Sequence, residues 1–599
     1  MRKMFALLSL LVLASMVLAA CGGAAPTEAP AQPEQPAATD APAQPATTEA
    51  PAVDTGLQTL RVDLNVYPDL IDPQKSSFVN EIATLKLVYM GLTTFNEKLE
   101  TIPGSAESWT FNADATQVVF TLKSGLTYSD GSALNAKRFE YAFQRNIDPA
   151  TAGEYASITD EILNAPEWRG ADTAAADYNR DEWLAKLGVK ASHADGSDCA
   201  DYEDTACDTF TLTFSKPAPY FHTIAGIWVG YPAKQELIEE GGGLWWNSSK
   251  FQVGNGPFIM DVVEPFVRQH FVPNPNFVGA GIPSYDLEFR YITDTAVSFE
   301  AYKNGELDII ESAAEDLATI EADQNLNAQH LQYAGACTIL MKFGLEGVYT
   351  DSAGNEFESI FKDPKVREAF AYGFDAASFS KDVLGGLALP TWTWIPPGFP
   401  GYNPESPLSF DPERAKAALA ESSYGGPDAL NALGLKLTFG DTPRNRAHSE
   451  WLVAKYKEIL GVDIALDPID STTFTAITKD PKTFPLLARQ GWCADYPDPQ
   501  NWLSVYWRSD TSFASRQGYV NLDFDALVNQ ADVELDPVKR AELYDQAQKL
   551  LLADIPSAFG YNTLNHYLIQ PWVKGVLTTP QDSDWAGSFA PWSITVEPH

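Results

Sequence analysis

The order of apolar and polar residues over most of the chain predicts a mixed α/β protein. Leu60–Val66 alternates between the two classes, as a half-buried strand does. Trp109–Phe111 and Val118–Leu122 alternate on either side of a polar turn and predict a hairpin. Leu435–Phe439 and Val462–Leu466 are apolar runs that flank a helical pattern, which predicts a βαβ unit with parallel strands.

Capping residues mark the starts of several helices. Asn135 precedes an amphipathic run, and Ser298 precedes a run that ends at Gly305. Asp363 and Asp536 are each followed by a proline, which suits the first helical turn. The chain has 599 residues, a length that predicts about three domains or one large discontinuous body.

The N-terminal region does not have the pattern of a folded domain. Residues 1–20 combine a basic start with an apolar run, Phe5–Ala20, which is shorter than the ~20 residues of a membrane-spanning helix and typical of a signal peptide. Cys21 follows Leu-Ala-Ala, as in the bacterial lipoprotein box, and would be lipidated. The alternative is an ordinary signal peptide with an incidental cysteine. Residues 21–56 are rich in Ala, Pro, Thr and Glu and predict a disordered tether.

The charge of the chain excludes several partners. The formal net charge is −39, so nucleic-acid phosphates and anionic lipid would both be repelled. Attachment to a membrane must therefore come from the lipid on Cys21. Aromatic residues make up 12% of the sequence, which suits a large core and an aromatic-lined cleft.

Four cysteines follow Cys21, and an even number in an exported chain favours two disulfides with three possible pairings. Cys199 and Cys207 flank a short acidic segment and could close a small loop, which leaves Cys337 for Cys493. Zinc is the alternative, but these four positions lack the paired close spacing of a zinc ribbon.

Catalytic motifs are not found in the sequence. The seven histidines are scattered without a metal-binding spacing, and neither a metal nor another cofactor is predicted. Cys493, His448 and Asp495 could be imagined as nucleophile, base and orienting group. A disulfide is the favoured role for Cys493 in an oxidising compartment, so we do not predict an enzyme.

One stretch stands out as a candidate binding site. The apolar run Phe484–Ala488 leads into a segment that contains Trp492, Asp495 and Pro497. This pattern suits a strand whose end places a carboxylate in a pocket that is partly shielded from water. A charge in such a pocket needs a cationic partner. The alternative is that Asp495 caps a loop before Pro497 and that Trp492 belongs to the core.

This stretch, GWCADYPDPQNWL from Gly491 to Leu503, resembles the signature of the oligopeptide-binding proteins of ABC transporters. The wider family comprises the bacterial extracellular solute-binding proteins of the peptide and nickel type. Further motifs match in the family's order: GLTTFNEKLETIPGSAESW (Gly91–Trp109), LKSGLTYSDGSALNAKRFEYAFQR (Leu122–Arg145), GNGPF (Gly254–Phe258), NGELDII (Asn304–Ile310) and DPKVREAFAYGFD (Asp363–Asp375).

The resemblance implies an α/β, two-lobed, hinged fold of the periplasmic-binding-protein type II class, with an additional N-terminal subdomain. The implied parts are lobe I (57–336 plus 565–599), its subdomain (105–204) and lobe II (337–564). The chain would cross between the lobes, and bend, near Cys337 and Leu564. Cysteines occupy the positions of Cys337 and Cys493 in some relatives, which supports that pairing.

The resemblance also implies roles for individual residues. Asp495 matches the aspartate that holds the α-amino group of a bound peptide, and Tyr155 matches a tyrosine that assists it. Arg489 matches an arginine that can meet a peptide's terminal carboxylate, with a solvated or structural role as the alternative. His448 matches a histidine used for peptides of another length. The other site residues that the resemblance implies are the signature neighbours and a strand beside the peptide: Gly491, Trp492, Cys493, Ser76, Ser77, Phe78 and Val79. Apart from the resemblance, Trp392 and Trp394 could line side-chain pockets, although core packing is the commoner fate of such residues.

The implied function is that of a monomeric, lipid-anchored, extracytoplasmic receptor. It would capture short peptides between closing lobes and present them to the membrane permease of an ABC importer. A relative of the same fold that binds oligosaccharides or metal chelates is the first alternative. An enzyme or a peptide-sensing signalling receptor on this scaffold is the second.

Overall fold

A computed structural model describes residues 53–68, 70–351 and 353–599, with the backbone alone at Ser471 and Thr472. The predicted signal peptide, the lipid site at Cys21 and nearly all of the tether lie outside this range. In the described part of the chain, no helix combines the length and the apolar character that a membrane crossing requires.

The strands are numbered in chain order. They are β1 (Thr59–Asp63), β2 (Thr93–Phe95), β3 (Thr101–Pro103), β4 (Ala106–Phe111), β5 (Gln117–Leu122), β6 (Val189–Ser192), β7 (Thr209–Thr213), β8 (Phe258–Glu264), β9 (Arg268–Pro273), β10 (Asp286–Arg290), β11 (Ile309–Glu311), β12 (His330–Phe343), β13 (Val348–Thr350), β14 (Glu356–Glu358), β15 (Ala388–Pro390), β16 (Lys436–Gly440), β17 (Ala465–Ile469), β18 (Leu487–Cys493), β19 (Ser557–Ile569), β20 (Val573–Lys574) and β21 (Thr595–Val596).

Within the described residues, eleven strands form one large curled sheet in the order β17-β16-β18-β12-β19-β11-β1-β10-β9-β8, with β15 added beside β19. The predicted βαβ unit is confirmed, since β16 and β17 are parallel neighbours on either side of a helix. A second sheet has the order β4-β5-β7-β6. It contains the predicted hairpin, β4–β5, and takes β7 from beyond the subdomain limit predicted at residue 204.

Helices cover the faces and edges of these sheets. They span Val79–Val88, Ala136–Ile147, Ala165–Arg169, Arg180–Lys186, Phe221–Ile224, Gln235–Gly241, Thr295–Lys303, Leu317–Ala322, Gln324–Gln329, Pro364–Tyr372, Ala376–Asp382, Pro412–Glu421, Pro427–Leu433, Pro443–Leu460, Ser471–Lys479, Pro499–Trp502, Ser504–Trp507, Ser512–Gln517, Leu522–Val533 and Pro537–Asp554.

Three of the four predicted caps are confirmed and one is wrong. Asn135, Asp363 and Asp536 accept hydrogen bonds from backbone N–H groups of the first turn. Ser298 does not cap its helix, because the carboxylate of Asp294 already accepts the free N–H groups one turn earlier. The Ser298 hydroxyl instead donates to Asp63, at 2.5 Å.

Buried apolar side chains form two large clusters, one in each lobe of the two-lobed fold. The first draws mainly on residues between Leu60 and Ile309 and on the C-terminal segment after Tyr567. The second lies mainly between Leu340 and Tyr561. The long antiparallel strands β12 and β19 pass from one cluster to the other. The predicted lobe boundaries fall within these two strands and stay a prediction.

Both cysteine pairs form the expected disulfides. Cys199 is bonded to Cys207, eight residues later, and closes the small acidic loop. Cys337 on β12 is bonded to Cys493 on β18 across a register pair of the large sheet. The second disulfide therefore ties β12 to the end of the signature strand.

Candidate ligand-binding cleft

A cleft of about 1160 Å³ is lined by residues of both lobes. Lobe I contributes the loop that contains Tyr155 and the segment from Thr579 to Trp592. Lobe II contributes the end of β18 and the start of the Pro443–Leu460 helix. The cleft is larger than most small-molecule sites, which measure roughly 300–1,000 Å³.

Asp495 lies where the cleft meets the end of β18. Its Oδ2 accepts a hydrogen bond from the Asn501 side-chain amide at 2.8 Å, and the Tyr155 hydroxyl is a second hydrogen-bond partner. Burial raises the pKa of Asp495 to about 7, and the two hydrogen bonds only partly oppose the shift. Among the described residues, no lysine, arginine or histidine forms an ion pair with it.

Asp498, three residues later, takes the structural role that was the alternative for Asp495. Its carboxylate accepts from the Gln500 N–H at the start of the Pro499–Trp502 helix. Arg540 also donates two hydrogen bonds to it, at 2.8 and 2.7 Å. Asp498 therefore supplies both the helix cap and the ion pair with Arg540, and the carboxylate of Asp495 faces the cleft.

The signature strand places its neighbours with little freedom. A Cβ at Gly491 would lie 2.9 Å from the backbone oxygen of Thr338 and 2.3 Å from Cδ1 of Ile339, so a side chain here would require β12 to shift and Ile339 to move. Gly491 and Cys493 line the cleft together with Cys337. Trp492 also lines it but is mostly buried, and its indole N–H donates to Asn501 at 3.2 Å.

Two arginines give another part of the cleft a positive charge. The Arg489 guanidinium donates to Asn445 Oδ1 at 2.8 Å and to the Tyr561 hydroxyl at 3.1 Å. Arg444 also lines the cleft. In the part of the chain that the structure describes, neither arginine has a carboxylate within ion-pair distance. Burial, with these two charges, lowers the pKa of His448 to about 4, so its imidazole is neutral at pH 7.

The prediction of a strand at Ser76–Val79 is wrong. The Val79–Val88 helix begins here instead, because the Glu81 carboxylate accepts from the backbone N–H groups of Ser77 (2.7 Å) and Phe78 (3.0 Å). Ser77, Phe78 and Val79 nevertheless line the cleft, and the last two expose much apolar surface, 60% and 43%. Ser76 does not, since its buried hydroxyl donates to the Leu70 carbonyl.

The two tryptophans expected to line side-chain pockets belong to the second apolar cluster instead. Trp394 is fully buried, and its indole N–H donates to the Trp502 carbonyl. Trp392 is half-buried against the same cluster. Packing in the core removes their apolar surface from water, and neither tryptophan lines the cleft.

Sequence reasoning missed an acidic group on the wall formed by lobe I. Burial raises the pKa of Asp582 to about 6 and that of Asp584 to about 7, and Glu311 adds to the second shift. Asp582 is held by the Tyr333 hydroxyl, at 2.8 Å. Asp582 and Asp584 lie two residues apart but belong to no motif, and Glu311 comes from a distant segment, so nothing in the sequence indicates that the three share one wall of the cleft.

A metal site does not emerge from the described residues. The single group with suitable ligand atoms is His193, Cys199 and Asp204. The sulfur of Cys199 is already bonded to Cys207, and His193 Nε2 lies 2.9 Å from the Asp204 carboxylate. The group is therefore a disulfide beside a histidine–carboxylate pair.

Comparison with known proteins defines the class of this molecule. Residues 100–514 match the sequence profile of the bacterial extracellular solute-binding proteins, family 5, middle region. The chain belongs to this family, whose members bind solutes and are not enzymes.

Similar proteins include the periplasmic murein peptide-binding protein MppA of Escherichia coli, 26% identical over 86% of this chain and 90% of MppA. The probable deoxycholate-binding periplasmic protein YgiS of Escherichia coli is 26% identical over 88% and 92%. Haemophilus influenzae OppA in complex with the peptide RPPGFSPFR has the same fold, with a TM-score of 0.69 and 21% identity over 90% of this chain and 99% of that chain.

Proposed function

We propose that this protein is the lipid-anchored substrate-binding component of an ABC importer and that it captures short peptides outside the cell. The observation that carries the proposal is Asp495. Its carboxylate faces the cleft, is half-buried and has no cationic partner among the described residues. A ligand that brings a cation to this point would satisfy it.

A peptide's α-ammonium group fits this requirement. It has three donors, and a charge-assisted hydrogen bond in a site without water is strong and directional. Asn501 and Tyr155 already hold two sides of the carboxylate, so the ammonium would complete its set of partners. Binding would return the pKa of Asp495 from about 7 toward its ordinary value.

The arginines suit the other end of a peptide. Arg489 is held by Asn445 and Tyr561, which are neutral and leave its charge available. Arg444 adds a second charge nearby, and His448 adds a neutral imidazole. A terminal carboxylate would therefore meet Arg489, with the other two as partners for peptides of different length.

Recognition of the two termini would leave side chains free to vary. The cleft volume of about 1160 Å³ exceeds what a short backbone fills, so side chains of different size could fit. The relatives named for murein peptide and for a bound nonapeptide support a peptide ligand.

A second candidate ligand is an acidic amphiphile such as a bile acid, because YgiS is named for deoxycholate and the cleft has two arginines that pair with no carboxylate of the described residues. Such a ligand has no ammonium group, so it would cover Asp495 without supplying a cationic partner. Oligosaccharides and metal chelates have the same disadvantage. The peptide is therefore the better match.

Membrane attachment and delivery complete the proposal. Cys21 would carry the lipid, the tether would hold the body away from the surface, and closure of the lobes would present the peptide to the permease. The hinge is proposed near Cys337 and Leu564, where β12 and β19 pass between the lobes.

Titration calorimetry with trialanine, deoxycholate and maltotriose tests the ligand class. We expect the tripeptide to bind and the other two to bind far more weakly. Mass spectrometry of small molecules released from natively purified protein provides an independent readout. Tight binding of deoxycholate without binding of any peptide would overturn the proposal.

A further inference from the structure

The acidic group on the lobe I wall has a geometry that follows from the large sheet. Its carboxylates belong to Glu311, Asp582 and Asp584, and all three residues line the cleft. Glu311 on β11 is the antiparallel register partner of Tyr567 on β19, which also lines the cleft. Directly opposite residues point to the same face of a sheet, with Cβ atoms about 4.5–5.5 Å apart. Glu311 and Tyr567 are therefore neighbours on the cleft side.

A stacked pair of tyrosines connects the rest of the group. Tyr567 stacks on Tyr333 with 6.2 Å between the ring centroids, and the Tyr333 hydroxyl donates to Asp582 at 2.8 Å. Asp584 follows Asp582 by two residues. Burial first, and then the charges of the three carboxylates, raise the pKa of Tyr567. The acidic group therefore lies around this one tyrosine.

The hydroxyl of Tyr567 lacks the partner that such groups usually have. In the part of the chain that the structure describes it makes no hydrogen bond, although only 7% of the residue is exposed. Buried tyrosine hydroxyls normally find a partner, as that of Tyr333 does in Asp582. A buried polar group that lines the cleft without a partner indicates one that arrives with the ligand.

Asp584 is held at the cleft by its own loop. The next residue, Trp585, is fully buried and packs edge-on against Phe289, with 6.1 Å between the centroids. Asp584 itself has a left-handed backbone, with φ 64°, which is uncommon outside glycine. Within the described residues its carboxylate makes neither a hydrogen bond nor an ion pair. The position of this charge is therefore fixed while the charge itself stays unmatched.

Cations lie near the acidic group but do not neutralise it. Lys86 is bonded to a backbone carbonyl at 3.2 Å, and it interacts with Asp582 only at longer range. Burial raises the pKa of Glu311, and the charge of Arg444 opposes this shift. Neither cation forms an ion pair with a carboxylate of the described chain. His566 Nε2 lies 3.7 Å from Glu311, but its pKa is lowered to about 4, mainly by burial, so it is neutral at pH 7.

The acidic group also adjoins the proposed amine site. The Gln581 side-chain amide donates to the Ala494 carbonyl at 3.1 Å, next to Asp495. The segment that carries Asp584 therefore touches the signature segment. Phe589, from the same segment, lines the cleft with a half-buried ring, a surface that suits the methylene stem of a long cationic side chain.

We propose that Asp584, Glu311 and the Tyr567 hydroxyl form a subsite for a cationic side chain of the ligand. The protein would therefore prefer peptides that carry lysine or arginine at one position. An ammonium or guanidinium group has several donors, which two carboxylates and a hydroxyl can accept. In the described chain these carboxylates are not gathered closely enough for a metal ion, which favours an organic cation. This inference rests on the proposed peptide-binding function.

The subsite is distinct from the general effect of charge. A net charge of −39 attracts any cationic peptide at long range. The subsite adds a preference that depends on the position of the cation in the peptide and on two named carboxylates.

Matched tripeptides test the subsite. Titration calorimetry at pH 7.5 would compare lysine with norleucine, which has the same stem without the ammonium group, at each position of trialanine. At one position, wild type should bind the lysine peptide about 10- to 100-fold more tightly, as expected for hydrogen bonds between charged groups. In Asp584→Asn and Glu311→Gln this ratio should fall toward one, and in Tyr567→Phe it should fall by less. Asp463→Asn is the control, because it removes the same charge from an exposed ion pair with Lys457, and it should retain the ratio.

The outcomes separate this inference from the proposed function. Equal affinities for lysine and norleucine peptides at every position in wild type would overturn the subsite and leave peptide binding intact. A lysine preference that Asp584→Asn and Glu311→Gln both retain would assign it to long-range charge and overturn the subsite too. Calcium binding that depends on Asp584, without a lysine preference, would identify a metal site and have the same consequence. If no peptide binds, both proposals fall. Because the first comparison needs only wild type, a variant that fails to fold does not block the test.

Discussion

Asn501 and Asp495 hold each other through two hydrogen bonds. The Asn501 amide donates to Asp495 Oδ2 at 2.8 Å, and the Asp495 backbone N–H donates to Asn501 Oδ1 at 3.2 Å. The same Oδ1 accepts from the Trp492 indole. A fully buried amide from the next helix therefore fixes the direction of the carboxylate, the loop that carries it and the neighbouring ring.

Asn501→Ala should weaken peptide binding and destabilise the protein. The substitution leaves the Trp492 N–H buried without an acceptor, which costs about 1–3 kcal/mol. It also removes a hydrogen bond that lowers the pKa of Asp495, so the carboxylate would be protonated to higher pH. Calorimetry and guanidinium unfolding measure the two effects. Asn403→Ala, which removes a hydrogen bond to Asp545 outside the cleft, should leave binding unchanged; equal losses in both variants would contradict the positioning role.

Peptide affinity should pass through a maximum between about pH 7 and 8. Below pH 7 the raised pKa of Asp495 means that a proton must leave the carboxylate before it can pair, so affinity should fall by up to about tenfold per pH unit. Above about pH 8 the peptide's own amine loses its proton. Calorimetry across pH 5–9 gives the profile. In Asp495→Asn the fall in affinity below pH 7 should disappear. If the fall is unchanged in this variant, another titrating group causes it.

Removal of the Cys337–Cys493 disulfide should loosen the binding site. The bond spans 156 residues and ties β12 to β18 beside the signature, so its loss should cost about 2–4 kcal/mol and weaken peptide binding. The matched control is the Cys199–Cys207 bond, which closes a span of only 8 residues far from the signature in sequence. Its removal should cost less and leave affinity unchanged. Thermal unfolding and calorimetry on the two double Cys→Ala variants make the comparison.

Cys21→Ser should release the protein from membranes. The net charge of −39 repels anionic lipid, so lipidation is the attachment that the sequence offers. Fractionation after a high-salt wash should find wild type with membranes and the variant in the soluble or secreted fraction. A variant that still sediments with membranes would contradict the lipoprotein assignment.

Local patterns were enough to predict much of the fold. The β4–β5 hairpin, the parallel pair β16–β17 and the proline-started helices each depend on neighbouring residues, and each is confirmed. Ser298 shows the limit of this approach, because Asp294 is an equally good cap one turn earlier and the pattern does not decide between them.

Sequence reasoning reached cleft residues that are close together in the chain and missed those that are not. Arg489 and Asp495 lie on one strand and its extension, and both line the cleft, while their roles toward a ligand stay predictions. Trp394 looked like a pocket residue but is buried in the core, because aromatic residues give the same pattern in both settings. Glu311 and Asp584 are far apart in the chain, and only the fold brings them to the same wall of the cleft.

The central claim is that Asp495 binds the ammonium group of a peptide, and a thermodynamic cycle tests it most directly. Trialanine and N-acetyl-trialanine would be titrated into wild type and Asp495→Asn at pH 7.5. Acetylation removes the ammonium and leaves a buried carboxylate unpaired, which costs about 3–5 kcal/mol, or roughly a 100- to 1,000-fold loss of affinity. Asp495→Asn should cause a similar loss for the free peptide.

The coupling between the two changes is the decisive quantity. Acetylation should cost the Asp495→Asn variant far less than it costs wild type, because the partner charge is already gone. Equal acetylation penalties in the two proteins would show that Asp495 does not meet the amine, and a ligand without an ammonium group would then be the better candidate.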